Sequence, residues 1–111
     1  MNVVDEDIKN ACIAFSCGDV NEIIQFLNEK TRWTNVGKED IVGTDNIRSI
    51  CFQMESEPVS LNVSQALEAA DHLVVQGHGD AQQTFYFCDI FQIESGSIKQ
   101  ITSYLVTGQK E

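Results

Sequence analysis

Positive charge is scarce in this 111-residue chain, with seven Lys and Arg against 17 Asp and Glu for a formal net charge of −10. A chain with no surplus of bases cannot neutralise a phosphate backbone, which excludes nucleic acid as a partner and disfavours anionic membrane surfaces. Long apolar runs are also missing: none approaches the roughly 20 residues that span a bilayer. The N-terminus, MNVVDEDIKN, is too acidic for a signal peptide, so a cytoplasmic protein is the expectation. Cys12, Cys17, Cys51 and Cys88 form no CxxC pair and have no histidine at ligand spacing. They read as buried free thiols, and no metal is expected. A glycine-rich phosphate loop is lacking too, so neither a nucleotide nor a redox cofactor is expected. The composition, 42% hydrophobic and 22% charged with one proline, is that of an ordinary globular protein, read as one domain over residues 1–111.

The most informative stretch is Thr84 to Val106. Phe85, Phe87, Asp89, Phe91 and Ile93 recur at every second position, so in a strand they share one face. Glu94-Ser95-Gly96-Ser97 supplies a turn, and Ile98 opens a second run with Ile101, Ser103 and Leu105 on one side. The two runs read as a long antiparallel hairpin. Asp89 interrupts the greasy face. Burying a lone charge there costs several kcal/mol, so the acid must be paired, protonated or facing a cavity.

Upstream, Asp5-Glu6-Asp7 starts a helix whose inward stripe is Ile8, Cys12 and Phe15. Gly18 and Asp19 end it and cap a second helix over Val20 to Asn28. Thr31 to Asn35 is a short strand and Val36 to Gly43 a loop. Thr44-Asp45-Asn46 begins a third helix with Ile47, Ile50, Cys51 and Met54 inward, and Pro58 follows it. Val59 to Ala70 reads as a strand by alternation, although its alanines and leucine also suit a helix. His72 to His78 is a strand, joined by a hairpin loop over 79–83 to the organising strand. The order implies an α+β fold: a curved antiparallel sheet wrapped over three helices, leaving a conical hollow.

Several strings in this order resemble the SnoaL-like and ketosteroid-isomerase-like branch of the nuclear-transport-factor-2-like (cystatin-like cone) superfamily. They are Gly18-Asp19, Trp33, Gly43, Val74-Val75-Gln76-Gly77, Asp89-Ile90-Phe91, Gly96-Ser97-Ile98 and Ser103-Tyr104-Leu105. The resemblance implies a cone with a deep pocket and a homodimer through the outer face of the sheet. It does not imply one reaction, because that superfamily holds isomerases, dehydratases, cyclases, epoxide hydrolases and binding domains. The isomerase set needs a carboxylate base, a tyrosine and a protonated aspartate. Aligned on Gly18-Asp19, those positions hold Asn35, Ala11 and Asp89, so only the last is kept. The Asp-Arg-Asp pattern of the epoxide hydrolases finds Arg32 and Arg48 but one well-placed acid, Asp89.

Within that frame Asp89 is the candidate general acid or base, with His78 at the rim as a proton shuttle. The bland alternative is that Asp89 accepts bonds from Trp33 or Ser103 and does no chemistry. His72 and His78 stand roughly 20 Å apart by the strand rise and cannot share a metal. Trp33, Asn35, Phe52, Gln76, Phe85, Phe87, Ile101, Ser103 and Leu105 are the expected lining. Tyr86, Cys88, Ile90, Gln92, Gln100, Thr102 and Tyr104 form the opposite face, too apolar and aromatic to stay wet, and are the expected dimer interface. The sequence therefore suggests a small-molecule-binding protein for an apolar ligand carrying one polar group. The alternatives are a cofactor-free isomerase, lyase or cyclase, and an adaptor with a filled cone.

Overall fold

The computed structural model describes residues 5–55, 60–80 and 83–107, with the side chains of 53–55 and 60 left outside that description. Helix α1 (Glu6–Ser16) begins where Asp5 accepts a bond from the Ile8 amide at 2.9 Å, and Glu6 and Asp7 add acid to its first turn. Ile8, Ala11, Cys12, Phe15 and Ser16 are buried, one face of a 3.6-residue period. Gly18, at φ +96°, ends the helix while the Asp19 amide reaches back to the Ala14 carbonyl.

The second helix expected over Val20–Asn28 is not formed as such: the segment holds a single 3-10 turn, Ile23–Phe26. Asp19 Oδ1 accepts from the Asn21 amide and side chain, both at 3.0 Å, the bond an N-cap makes, but the chain then winds only as far as Phe26 and is extended at Leu27. Val20, Ile23 and Leu27 are nonetheless buried. The described helices are thus α1 and α2 (Thr44–Glu55) rather than three.

One sheet carries β1 (Arg32–Asn35), β2 (Asp40–Val42), β3 (Ser60–Ala69), β4 (His72–Asp80), β5 (Thr84–Glu94) and β6 (Ser97–Thr107), in the order β2-β1-β6-β5-β4-β3. Two features differ from the sequence reading. The loop expected over 36–43 contains β2, folded back on β1 through a turn with Gly37 at φ +86°. In addition, β1 runs parallel to β6, so the sheet is mixed. The long crossover through α2 and two hairpins provides the length a parallel pair requires. The ambiguous 64–70 stretch is strand as far as Ala69, the end of β3, and Ala70 turns into β4.

Bulges and glycines coincide with the curvature. Ser64 is an extra residue between the Val63–Gly77 and Gln65–Gln76 pairs, and Lys99 plays the same part between Ile98 and Gln100. The second bulge lets Ile98 and Ile101, three apart, both point inward and both be fully buried. At Gly77 a Cβ would collide with the Asn62 carbonyl and lie 2.9 Å from the Phe87 ring, so that close approach requires glycine. The β5–β6 hairpin turns through Ser95 (φ +54°) and Gly96 (φ +78°), the signs of a type I′ turn. Inside the curve, α1 shares one core with Leu73, Val75, Phe91, Ile101 and Trp33, and its Phe15 meets Trp33 and Phe91 edge to face. Burying each such side chain contributes about 1.5–3 kcal/mol.

Candidate functional site

Register decides which residues face the hollow. Asp89 pairs with Val75 on one side and Ser103 on the other; Phe87 pairs with Gly77 and Leu105, and Phe91 with Leu73 and Ile101. Trp33 and Asn35 join this inner face beside Ile101 and Ser103.

Asp89 is 7% exposed and lies at the meeting point of four elements. Ser16, in the last turn of α1, donates to Asp89 Oδ2 at 2.7 Å. Ser103 on β6 gives a second bond, while its own oxygen accepts Trp33 Nε1–H from β1 at 2.8 Å. Burial pushes the Asp89 carboxyl above its ordinary range, and the Ser103 and Ser16 bonds pull the other way. Phe15 packs edge-on against Trp33 at 5.2 Å and against Phe91 at 5.8 Å, filling the hollow on this side. Cys12 lies within the field of Asp89: burial, then the charge of Asp89, push its thiol up to about 12.

Burial falls off along the inner face of the sheet. Phe91, Leu73, Ile98 and Ile101 are fully buried at one end. Leu105, on the same inner face of β6, is 58% exposed, and Phe85 and Asn35 are half-buried.

Gln76, expected in the lining, and His78, expected at the rim as a proton shuttle, both lie on the other face of β4. Val75 and Gly77 take the inward positions of β4, which leaves Gln76 beside Cys88 and His78 beside Tyr86 on the outer face. Gln76 bonds Gln65 at 3.0 Å, and the His78 and Tyr86 rings are 6.4 Å apart. His72 is on that face too, its Nδ1 at 2.7 Å from Asp71. Neither histidine can relay a proton to Asp89 through the sheet. Phe52 is 52% exposed on α2, whose Ile47 and Cys51 turn to the core, and it is not in the Asp89 cluster.

Tyr86, Cys88, Ile90 and Gln92 share the outer face with Gln100, Thr102 and Tyr104. A shallow hollow of about 330 Å³ opens there between Gln76, Tyr86, Cys88, Tyr104 and Val106. Another, of about 290 Å³, lies at the start of α2 between Glu29 and Asn46. Asp89 lines neither. Among the described residues no three His, Cys, Asp or Glu side chains are grouped to hold a metal, and no helix is long and apolar enough to cross a membrane.

Sequence reasoning missed Ser16 and Cys12 as neighbours of Asp89. The available signal was their spacing: Ile8, Cys12 and Ser16 recur at i+4, which sets a hydroxyl on the apolar stripe of α1.

A curved sheet closing on a helix, with one buried acid inside, defines an α+β cone. No protein-family model matches the sequence, and no curated protein does. Solved structures do match. An NTF2-like protein of unknown function from Cytophaga hutchinsonii superposes with a TM-score of 0.79 at 24% identity, over 92% of this chain and 100% of that one. A candidate ketosteroid isomerase from Kribbella flavida gives 0.72 at 13% identity, over 95% of this chain and 76% of that one. A candidate SnoaL-like polyketide cyclase from Jannaschia gives 0.73 at 12%, over 90% and 83%. The chain has the nuclear-transport-factor-2-like fold, and structures similar to it include SnoaL-like and ketosteroid-isomerase-like proteins.

Proposed function

We propose that this protein is a non-catalytic cone-fold binding protein that takes a small apolar molecule at the open end of its hollow. Phe85, Phe87 and Leu105 provide the apolar contact, Asn35 a polar one, and Asp89 anchors the floor. The observation that carries the reading is Leu105, which faces the hollow yet is 58% exposed, while Ile101 on the same face is fully buried. An isomerase, lyase or cyclase would need a second titratable group near Asp89. The neighbour there is Cys12, whose thiol at about 12 keeps its proton at neutral pH, far from the value that acid–base catalysis favours.

Nile red, a neutral apolar dye, tests this. It is expected to bind with a blue shift, and Leu105→Gln to weaken it about fivefold, the loss of roughly 1 kcal/mol of apolar contact. Tyr104→Ser, on the outer face, should leave binding unchanged. Equal binding by the wild type and Leu105→Gln would refute the site.

The closed half supports a second reading, an adaptor with a filled cone, because Phe15 occupies the space between Trp33 and Phe91. Absence of dye binding would favour it. In either case the outer face, with Tyr86 at 52% and Tyr104 at 43% exposed, is proposed to pair two copies about a two-fold axis. Sedimentation at micromolar concentration should give twice the chain mass; the mass of one chain would overturn the dimer.

A further inference from the structure

We infer that the hollow on the outer face of the sheet is a second binding site, for a methylated ammonium group, apart from the inner-face site proposed above. Both tyrosines of the chain stand on it. Register sets their spacing. Cys88 pairs with Gln76 and Tyr104, and Tyr86 with His78 and Val106, so the two rings are diagonal neighbours on adjacent strands. Diagonal pairs lie roughly 7–8 Å apart at the backbone, and a ring attracts a cation within about 6 Å of its centre. One head group between the strands is therefore within reach of both rings, and the hollow of about 330 Å³ gives it room.

The lining decides which ligands fit. It holds no Lys or Arg and no carboxylate. An anion finds no counter-charge there, and a hard metal ion finds no charged oxygen. What the lining offers is π surface and dipoles. Tyr86 and Tyr104 are exposed, and among the described residues no Lys or Arg lies against either ring; Tyr86 has His78 beside it, tilted, at 6.4 Å. Gln76 spends its Nε2 on Gln65 at 3.0 Å, which leaves its Oε1 as a further acceptor. Electron-rich rings and an amide oxygen hold best a weakly hydrated cation with an apolar shell. The net charge of −10 favours its approach. The hollow lies on the face proposed to pair two copies, so a bound cation and a partner copy compete for the same two rings.

Choline and its uncharged isostere, in which carbon replaces the nitrogen, share one shape and isolate the charge. Tyrosine ring protons in NMR report the site directly, because the chain has no other tyrosine. Choline is expected to shift both ring signals and to bind at least about fivefold more tightly than the isostere. Tyr86→Leu or Tyr104→Leu, read from the tyrosine that remains, should weaken choline about fivefold and leave the isostere unchanged. Tyr86→Phe keeps the ring and should keep choline bound. Leu105→Gln, at the inner site, should alter neither ligand, so loss of the inner-face reading leaves this one standing. Saturating choline should also move the sedimentation mass from two chains toward one. If that mass is already one chain without choline, the pairing falls and the NMR comparison alone carries the site. Unshifted ring signals, equal binding of choline and isostere, choline binding indifferent to both Tyr→Leu variants, or a mass held at two chains in saturating choline would overturn the inference.

Discussion

The pH dependence of stability should expose Asp89. Its folded carboxyl is held above the ordinary 3.8 by burial. A group whose pKa is raised on folding stabilises the fold below its unfolded value, and that contribution is lost as pH rises through the folded value. Asp89→Asn keeps the shape and cannot ionise. Measured as the difference between variant and wild type, so that the other carboxylates cancel, the stability of Asp89→Asn should improve as pH rises above the ordinary carboxylate value and level off once pH has passed the raised folded value. Each unit of separation between folded and unfolded pKa corresponds to about 1.4 kcal/mol. Ser16→Ala removes the 2.7 Å bond to Oδ2, and a bond to a charged acceptor is worth about 1.5–3 kcal/mol. Its cost should be larger at pH 8 than at pH 4, and smaller in the Asp89→Asn background. Trp33, the sole tryptophan and 5% exposed, reports urea unfolding directly, and the expected midpoint shift is about 1 M. A difference that stays flat between pH 4 and 8 would refute the desolvated carboxyl. An equal cost of Ser16→Ala in both backgrounds would refute the bond as the link.

Three further outcomes follow from packing. Gly77→Ala should destabilise by at least about 2 kcal/mol, because its Cβ meets the Asn62 carbonyl and the Phe87 ring; urea unfolding measures it. Phe15→Ala should cost about 3–5 kcal/mol and shift the Trp33 emission, since the two rings touch edge to face. Ala70→Gly should stabilise by about 1 kcal/mol in a thermal melt, because Ala70 turns the β3–β4 hairpin at φ +56°.

The alternation of Phe85, Phe87, Asp89, Phe91 and Ile93 was enough to assign one face of β5, because a strand repeats every two residues and nothing interrupts the count before Gln92. Capping chemistry at Asp5 and Gly18 likewise bounded α1. Where the period is broken, sequence reasoning lost its footing. Lys99 and Ser64 each insert a residue, and from β4 alone either side could face inward; Gln76 and His78 were placed on the wrong one for that reason. The second helix shortened to one 3-10 turn even though Asp19 makes the capping bond expected of it; Leu27 is extended, and the Asn28 amide bonds Thr31 Oγ1 instead of a helical carbonyl.

What the residue order determined, then, is the local grammar: the long strands β4, β5 and β6, which stripe of α1 is greasy, and that an acid must be paired, protonated or facing a cavity among phenylalanines. What only the tertiary structure decided is the identity of that acid's neighbours. Ser16, Ser103 and Trp33 lie 73, 14 and 56 residues from Asp89 in the chain. No local pattern links such positions; they meet because a bulged, glycine-bent sheet curls far enough to bring a helix, a parallel strand and a hairpin to one point.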